Sequence, residues 1–338
     1  MISGQTVVRV RIVSTVPPPS SDSASSRGQW EGVLEHTRGP TPIPTDGRRV
    51  SLIHYGLAQP FLGLRTLLRT PELLGMALAP MFLVMAIALV MAYFAVQERG
   101  LLAGFVSYWV TIAALAPVPP LILARVYASL AAKARPVLGL SPAEPYNRGW
   151  VQLFGEWVSQ LIILALGALP LTILLKVIPM VGAFYALIIQ GVWALHWIVV
   201  EGYDNSRTLP PGRTVEEIEA LGQARPGIPW FHRWAAAVGQ RQGGWKLLAP
   251  LVMLSEIVTS LARPWRAEVD LTEEHPWVSL GFGLGVAIML AIPGLNLALR
   301  PAVVVAGVHL RYRLLEENPE QEPKPRGTTQ PYPTVPLA

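Results

Sequence analysis

The chain has 338 residues, of which 51% are hydrophobic and only 14% are charged, whereas soluble domains carry about 25% charged residues. Lysine and arginine number 27 against 22 acidic residues, and a dispersed net charge of +5 argues against a nucleic-acid binder. The absence of cysteine excludes disulfides, cysteine-ligated zinc and thiol nucleophiles. The class that remains is an integral membrane protein.

Both ends of the chain differ from its middle in composition. Residues 1–47 contain three consecutive prolines followed by a serine-rich stretch, and residues 316–338 are again rich in proline and polar side chains. Such segments cannot bury enough apolar area to offset the entropy lost on ordering. We expect both to be disordered tails.

Five apolar runs predict membrane helices. A spanning helix needs about 20 apolar residues, because each residue adds about 1.5 Å across a hydrocarbon core of about 30 Å. The runs, which contain no charged residue, are 73–96, 100–124, 157–175, 177–200 and 276–299. The predicted fold class is therefore an all-α integral membrane protein.

Prolines divide some of these runs. Pro117, Pro119 and Pro120 predict a break in the second run, after which a basic helix leaves the membrane. Pro179 predicts a tight turn between the third and fourth runs. Pro293-Gly294 divides the last apolar region into 278–292 and 295–310, and the first piece is short for a span. We expect about four transmembrane helices plus a re-entrant helical hairpin.

Basic residues give an orientation. Arginine and lysine concentrate before the first run, between the second and third, and after the fourth, whereas the opposite loops hold only Arg99 and Lys176. The positive-inside rule then places both termini in the cytoplasm. The expected location is the plasma membrane of a bacterium.

The expected domains are a first membrane-helix region at 48–204, a cytoplasmic or interfacial insertion at 205–276 and a membrane hairpin at 277–315. Thr214 and Glu217 in the insertion form a capping-box pattern, which predicts that a helix begins there. A second helix is predicted by an apolar stripe, which consists of Leu247, Leu251, Leu254, Val258 and Leu261. This stripe lies on the membrane surface or packs on the core.

Several stretches resemble the CysZ and etoposide-induced-protein family of membrane proteins. They are Gly63-Leu64-Arg65 through Pro71, Ala116-Pro117 through Ala132, Ile178-Pro179 through Gly182 with Tyr203-Asp204-Asn205, and Gly281-Phe282-Gly283 through Gly307. The resemblance covers roughly 55–205 and 277–312, and the insertion and the N-terminal tail are longer than the family leads us to expect. It implies the family's helical fold. Because the bacterial members are linked to sulfate uptake, it also suggests sulfate as a substrate.

The resemblance implies that Gly63, Leu64 and Arg65 hold an anion, as the family's Gly-Leu-Arg motif does. Backbone N–H groups at a helix start and a forked guanidinium both favour anions, and Arg69 lies one turn later on the same face. The alternative is that both arginines anchor the chain near phospholipid headgroups. Arg300 is a third candidate, because a charge within the membrane is functional by default, although it also fits a residue at the interface.

Enzymatic interpretations are weaker. His196 and His309 lack a second histidine at helical spacing, which disfavours a metal site, and we expect neither a metal nor a cofactor. Gly281, Gly283 and Gly285 lie in an apolar run without a following lysine, so they indicate close helix packing rather than phosphate binding.

Two functions stay open on the sequence alone. The first is a permease for sulfate or another small anion, built as a homo-oligomer in the lipid bilayer. The second is a non-transporting membrane scaffold whose 205–276 insertion binds a partner protein. The sequence contains no nucleotide-binding motif, and we expect no nucleic-acid partner.

Overall fold

The computed structural model describes residues 36–37, 39–45, 47–115, 123–176, 181–225, 227–233, 249–291 and 295–316. The predicted breaks at Pro117–Pro120, Pro179 and Pro293-Gly294 lie outside these residues, as do 1–35 and 317–338 of the expected tails.

Almost all regular structure in the described residues is helical. The helices of the first half are α1 (Arg49–Arg69), α2 (Pro71–Arg99), α3 (Leu101–Leu115), α4 (Ala124–Val137), α5 (Trp150–Leu166), α6 (Leu169–Lys176) and α7 (Val181–Asn205). Those of the second half are α8 (Val215–Gln223), α9 (Ala249–Leu261), a 3₁₀ turn at Arg263–Trp265, α10 (Arg266–Glu274), α11 (Pro276–Leu290) and α12 (Leu295–Glu316). A two-stranded antiparallel sheet pairs β1 (Glu144–Pro145) with β2 (Thr208–Leu209).

Three helical segments are long and apolar enough to cross a membrane: Pro71–Arg99, Trp150–Ile173 and Phe184–Asn205. Outside these, apolar helices of the described residues such as Leu101–Thr111 and Pro276–Leu290 are shorter. The membrane class is therefore supported by three spans, while the fourth crossing and the re-entrant hairpin stay predictions.

Helices α2 and α3 form an antiparallel hairpin around Gly100, whose φ of 85° suits glycine. Large apolar side chains of both helices point away from the protein: Phe82, Leu89, Phe94, Leu101 and Phe105 are each more than half exposed. An apolar surface of this extent is unfavourable in water. We infer that it faces lipid.

The centre of the fold is α1, which packs against α11 and α12. Glycines bring these helices into backbone contact, since a Cβ on Gly281 would lie 2.0 Å from the carbonyl oxygen of Ile53 and one on Gly56 would lie 2.1 Å from that of Val278. On α12, residues 301–310 are all buried. The close packing predicted for Gly281, Gly283 and Gly285 is confirmed.

Part of the segment expected to be a disordered tail packs on α1. The Tyr55 hydroxyl donates to the Thr41 carbonyl at 3.0 Å, the His36 ring meets the Tyr55 ring edge-on at 5.3 Å, and Ile43 is buried. Residues 36–37 and 39–45 therefore belong to the folded protein, which extends on the N-terminal side of the expected boundary at 47.

The insertion packs on the membrane helices instead of standing apart. The capping box is confirmed, because Thr214 accepts from the Glu217 backbone N–H and Glu217 accepts from that of Thr214. Helix α9 buries Ser255 and Val258 against α5 and α6, which decides in favour of packing on the core. The burial of the polar Ser255 is explained by the 2.8 Å hydrogen bond between its hydroxyl and His232 Nδ1.

Candidate anion site and buried charge network

Gly63, Leu64 and Arg65 lie near the C-terminal end of α1, not at a helix start. The helix begins at Arg49, so the backbone N–H groups of these residues lie within its hydrogen-bonded interior. Gly63 serves packing instead, since a Cβ there would lie 2.1 Å from the Ala302 carbonyl oxygen. The expectation of free backbone donors at this motif is wrong, because the sequence before it is also helical.

The side chains of this motif face different surroundings. Leu64 packs against the apolar cluster that contains Leu67 and Val305. Arg65 is half-buried and donates from Nη1 to the Thr37 carbonyl at 3.1 Å. Arg69 lies in the last turn of α1 and is exposed. The motif therefore offers at most the two guanidinium groups, Arg65 and Arg69, for an anion.

Arg300 lies on α12 and forms an ion pair with Glu201 of α7. Its Nη1 lies 3.0 Å from Glu201 Oε1, and the two side chains are 23% and 22% exposed. Helix α12 begins at Leu295, so Pro301 lies inside the helix and not in its first turn. The backbone N–H of Arg300 therefore lies within the helix and is not a free donor, and the side chains of Arg65 and Arg300 bond to different parts of the fold.

Tyr127 of α4 lies beside the Arg300–Glu201 pair. Burial raises the pKa of the Tyr127 phenol to about 12, while the charge of Arg300 lowers it and that of Glu201 raises it by smaller amounts. The phenol therefore stays neutral at physiological pH and presents a hydroxyl near both charged groups. Three elements, α4, α7 and α12, thus meet at this pair.

A second polar site was missed by the sequence analysis. Six charged side chains, which we call the charge network, are linked through buried ion pairs: Arg148, Glu156, Asp204, Arg207, Glu268 and Arg311. All except Arg311 are less than a tenth exposed. Burying so many charges is unfavourable unless each is paired and hydrogen-bonded, and here the pairs are close.

The N-terminal half of the network centres on Arg148, which precedes α5. Its Nη1 lies 2.5 Å from Glu156 Oε2 and its Nη2 lies 3.0 Å from Asp204 Oδ2. Gln152 donates to Glu156 at 3.1 Å. The Glu156 carboxylate is therefore buried against Arg148.

The C-terminal half centres on Glu268 of α10. Arg207 bonds to both carboxylate oxygens of Glu268, and Arg311 of α12 reaches Oε1 at 2.5 Å. Burial alone would raise the pKa of Glu268, but the charges and hydrogen bonds of Arg207 and Arg311 outweigh burial and lower that pKa to about 2. Arg207 connects the two halves, because its Nε lies 3.1 Å from Asp204 Oδ1.

A cavity of about 330 Å³ lies beside the network, between α5, α8 and α10. Its lining includes Glu156, Arg207, Glu268 and Arg311, together with Glu219 from α8. Glu219 accepts from the Tyr146 hydroxyl at 3.1 Å and from Gln152. Because three carboxylates line this cavity, those of Glu156, Glu219 and Glu268, and like charges repel an anion, it is a poorer anion site than Arg300.

The charge network could not be found from local sequence patterns. Its pairs join residues 56 and 61 positions apart, Arg148 with Asp204 and Arg207 with Glu268. The one available signal is the low charge content of the chain. In such a chain, an arginine and a carboxylate near apolar runs are expected to form an ion pair. His309, expected to be a lone residue, lies in the core with Nδ1 2.8 Å from Gln59 Oε1.

Comparisons with known proteins return nothing: no protein-family model, curated protein or solved structure matches the chain. In the described ranges, no three or more metal-ligating side chains come together in a way that could hold a metal ion.

Proposed function

We propose that this chain is an integral membrane protein that binds and passes a small anion such as sulfate, with Arg300 as its main binding residue. The observation that carries the proposal is the position of Arg300. Its side chain is only 23% exposed, on a helix buried over residues 301–310, and it pairs with a carboxylate on a helix long enough to span the membrane. Ionisable residues in such settings are costly, and they commonly mark substrate and ion pathways.

The chemistry of Arg300 suits an anion with several oxygen atoms. A guanidinium carries five N–H donors in a planar fork, and such forks bind oxyanions through two parallel hydrogen bonds. The resemblance to the CysZ family makes sulfate the first anion to test. In this proposal Arg65 and Arg69 attract anions at the protein surface, both termini lie in the cytoplasm of a bacterium, and the protein acts as a homo-oligomer.

The test is radiolabelled sulfate flux into proteoliposomes that contain the purified protein. Arg300→Ala should lower the flux and weaken sulfate binding about tenfold or more, because a hydrogen bond to a charged group contributes roughly 1.5–3 kcal/mol. Arg300→Lys should recover part of the loss, since lysine restores the charge without the fork. Arg213→Ala is the matched control, because Arg213 is 55% exposed and lies 3.9 Å from its partner, Glu217.

A scaffold function is the second candidate, and one observation favours it. Helix α9 in the insertion exposes Met253 and Ile257, which are 63% and 41% exposed, while Val258 is buried. Exposed apolar side chains one turn apart fit a partner helix or a membrane surface. If neither the unmodified protein nor a variant with glutamine at Glu201, the partner of Arg300, shows sulfate flux or sulfate-dependent heat in isothermal titration, the scaffold is the better explanation.

A further inference from the structure

We propose that Glu201 is a built-in counter-ion, which occupies the anion position at Arg300 until an incoming anion displaces it. This inference rests on the proposed function, because it describes how the Arg300 site is kept closed. Its ligand class is an oxyanion that competes with a carboxylate for the same guanidinium.

The geometry of the pair supports competition. Glu201 Oε1 lies 3.0 Å from Arg300 Nη1, which is hydrogen-bond distance, so the carboxylate holds the place where an oxyanion would bind. Both side chains are more than a fifth exposed, unlike Arg207 and Glu268, which are 7% and 0% exposed. An anion from water can therefore reach the Arg300–Glu201 pair, while the charge network is shielded.

The surroundings of Glu201 oppose its release. A small cavity of about 30 Å³ adjoins it and is lined also by Glu156, Asp204 and Arg148. The carboxylates of Glu156 and Asp204 already engage Arg148, and the phenol of Tyr127, which interacts with both members of the Arg300–Glu201 pair, is neutral. A displaced Glu201 carboxylate would approach two like charges, so the paired state is favoured when no anion is bound.

The competition predicts a specific effect on affinity. When the binding-competent state is only a fraction of the molecules, the apparent dissociation constant rises by the inverse of that fraction. Neutralising Glu201 should therefore tighten anion binding. Displacement of Glu201 also removes one bond between α7 and α12, while the hydrogen bond from Arg311 to the Tyr203 carbonyl oxygen at 3.3 Å still joins the two helices.

The experiment is isothermal titration of sodium sulfate into the full-length protein in detergent, with sodium gluconate as the control for ionic strength. Glu201→Gln keeps the shape and removes the charge, so the dissociation constant for sulfate should fall about threefold or more, the range that exposed ion pairs allow. Glu217→Gln is the matched control, because Glu217 is 51% exposed and glutamine keeps the capping box, and it should change nothing.

Further variants make each outcome decisive. The gain should vanish in the double variant Glu201→Gln/Arg300→Gln, because the freed guanidinium is then missing. If Glu201→Gln does not fold, Glu201→Asp carries the test: the shorter carboxylate should weaken the pair and tighten sulfate binding by a smaller factor.

The failures of the two proposals can be told apart. If Arg300→Gln abolishes sulfate binding but the Glu201 variants bind sulfate no better than the unmodified protein, the counter-ion inference is overturned and the proposed function stands. If neither the unmodified protein nor Glu201→Gln binds sulfate, both proposals are overturned. Binding by Glu201→Gln alone supports both.

Discussion

At Glu268, one carboxylate with no exposed surface holds two guanidinium groups, those of Arg207 and Arg311. Glu268→Gln keeps the shape of the side chain but leaves buried positive charge uncompensated. We expect it to lower the free energy of unfolding by about 3–5 kcal/mol, as breaking other buried ion pairs does. Urea unfolding in detergent, followed by tryptophan fluorescence, measures this.

The control for Glu268 is an exposed ion pair. Glu72 lies 2.6 Å from Lys133, with side chains 68% and 51% exposed, so Glu72→Gln should change stability by at most about 1 kcal/mol. Equal losses in the two variants would show that the charge network contributes nothing beyond a surface pair.

His232 makes stability depend on pH. Burial lowers the pKa of His232 from 6.5 to about 4, so the folded state favours the neutral ring. Because the pKa of this histidine is lower in the folded state, its contribution to the free energy of unfolding is fully present above pH 6.5. That contribution is lost as the pH falls from 6.5 through 4. The apparent melting temperature should therefore fall between pH 6.5 and 4, and His232→Gln should fall less over that window. An identical fall in both proteins contradicts this assignment.

At the scale of elements, the lengths of the apolar runs predicted helices but not which helices pack against one another. The run at 73–96 lies within α2, and the described part of the run at 177–200, from residue 181 onward, lies within α7. Helix α1 was missed because arginine, histidine and glutamine interrupt its apolar positions. Its sequence therefore resembles a basic loop before the first span. Its partners lie more than 200 residues away, as the bond between Gln59 and His309 shows, and no local pattern reports such contacts.

The glycine contacts between α1 and α11 give a test at this scale. Gly281→Ala would place a methyl group 2.0 Å from the Ile53 carbonyl oxygen, which forces the two helices apart. Gly191→Ala on α7 meets nothing within 4 Å and should be neutral or slightly stabilising, because alanine favours helix over glycine. We expect a lower apparent melting temperature for the Gly281 variant alone, and equal melting temperatures would contradict the close packing.

At the scale of the whole molecule, ion pairs and a small sheet join the insertion to the membrane helices. Arg207 follows α7 and bonds to Glu268 of α10, while Arg311 reaches the same carboxylate from α12. The strands β1 and β2 pair the loop before α5 with the loop after α7, and Arg135 bonds to both Ser141 and Thr208. The sequence predicted an insertion at 205–276 from its composition, but these long-range pairs have no local sequence signal.

The pairing of β1 with β2 leads to a prediction of topology. Because the strands are hydrogen-bonded, the loops before α5 and after α7 lie on the same side of the membrane, which agrees with their shared basic character. Arg99, at the end of the spanning helix α2, is then expected on the opposite side. The chain has no cysteine, so a single introduced cysteine is the only thiol of the protein that can react with a maleimide. Arg99→Cys in intact cells should react with a membrane-impermeant maleimide.

Two further cysteines complete this test, at exposed positions on the side expected to be cytoplasmic. Lys133→Cys and Arg213→Cys, whose native side chains are 51% and 55% exposed, should react with the maleimide only after the cells are permeabilised. Labelling of Arg99→Cys and Arg213→Cys from one side would mean that α2 does not cross the membrane as proposed. Labelling of Lys133→Cys and Arg213→Cys from different sides would contradict the strand pairing itself, because residues joined through that sheet cannot be separated by a bilayer.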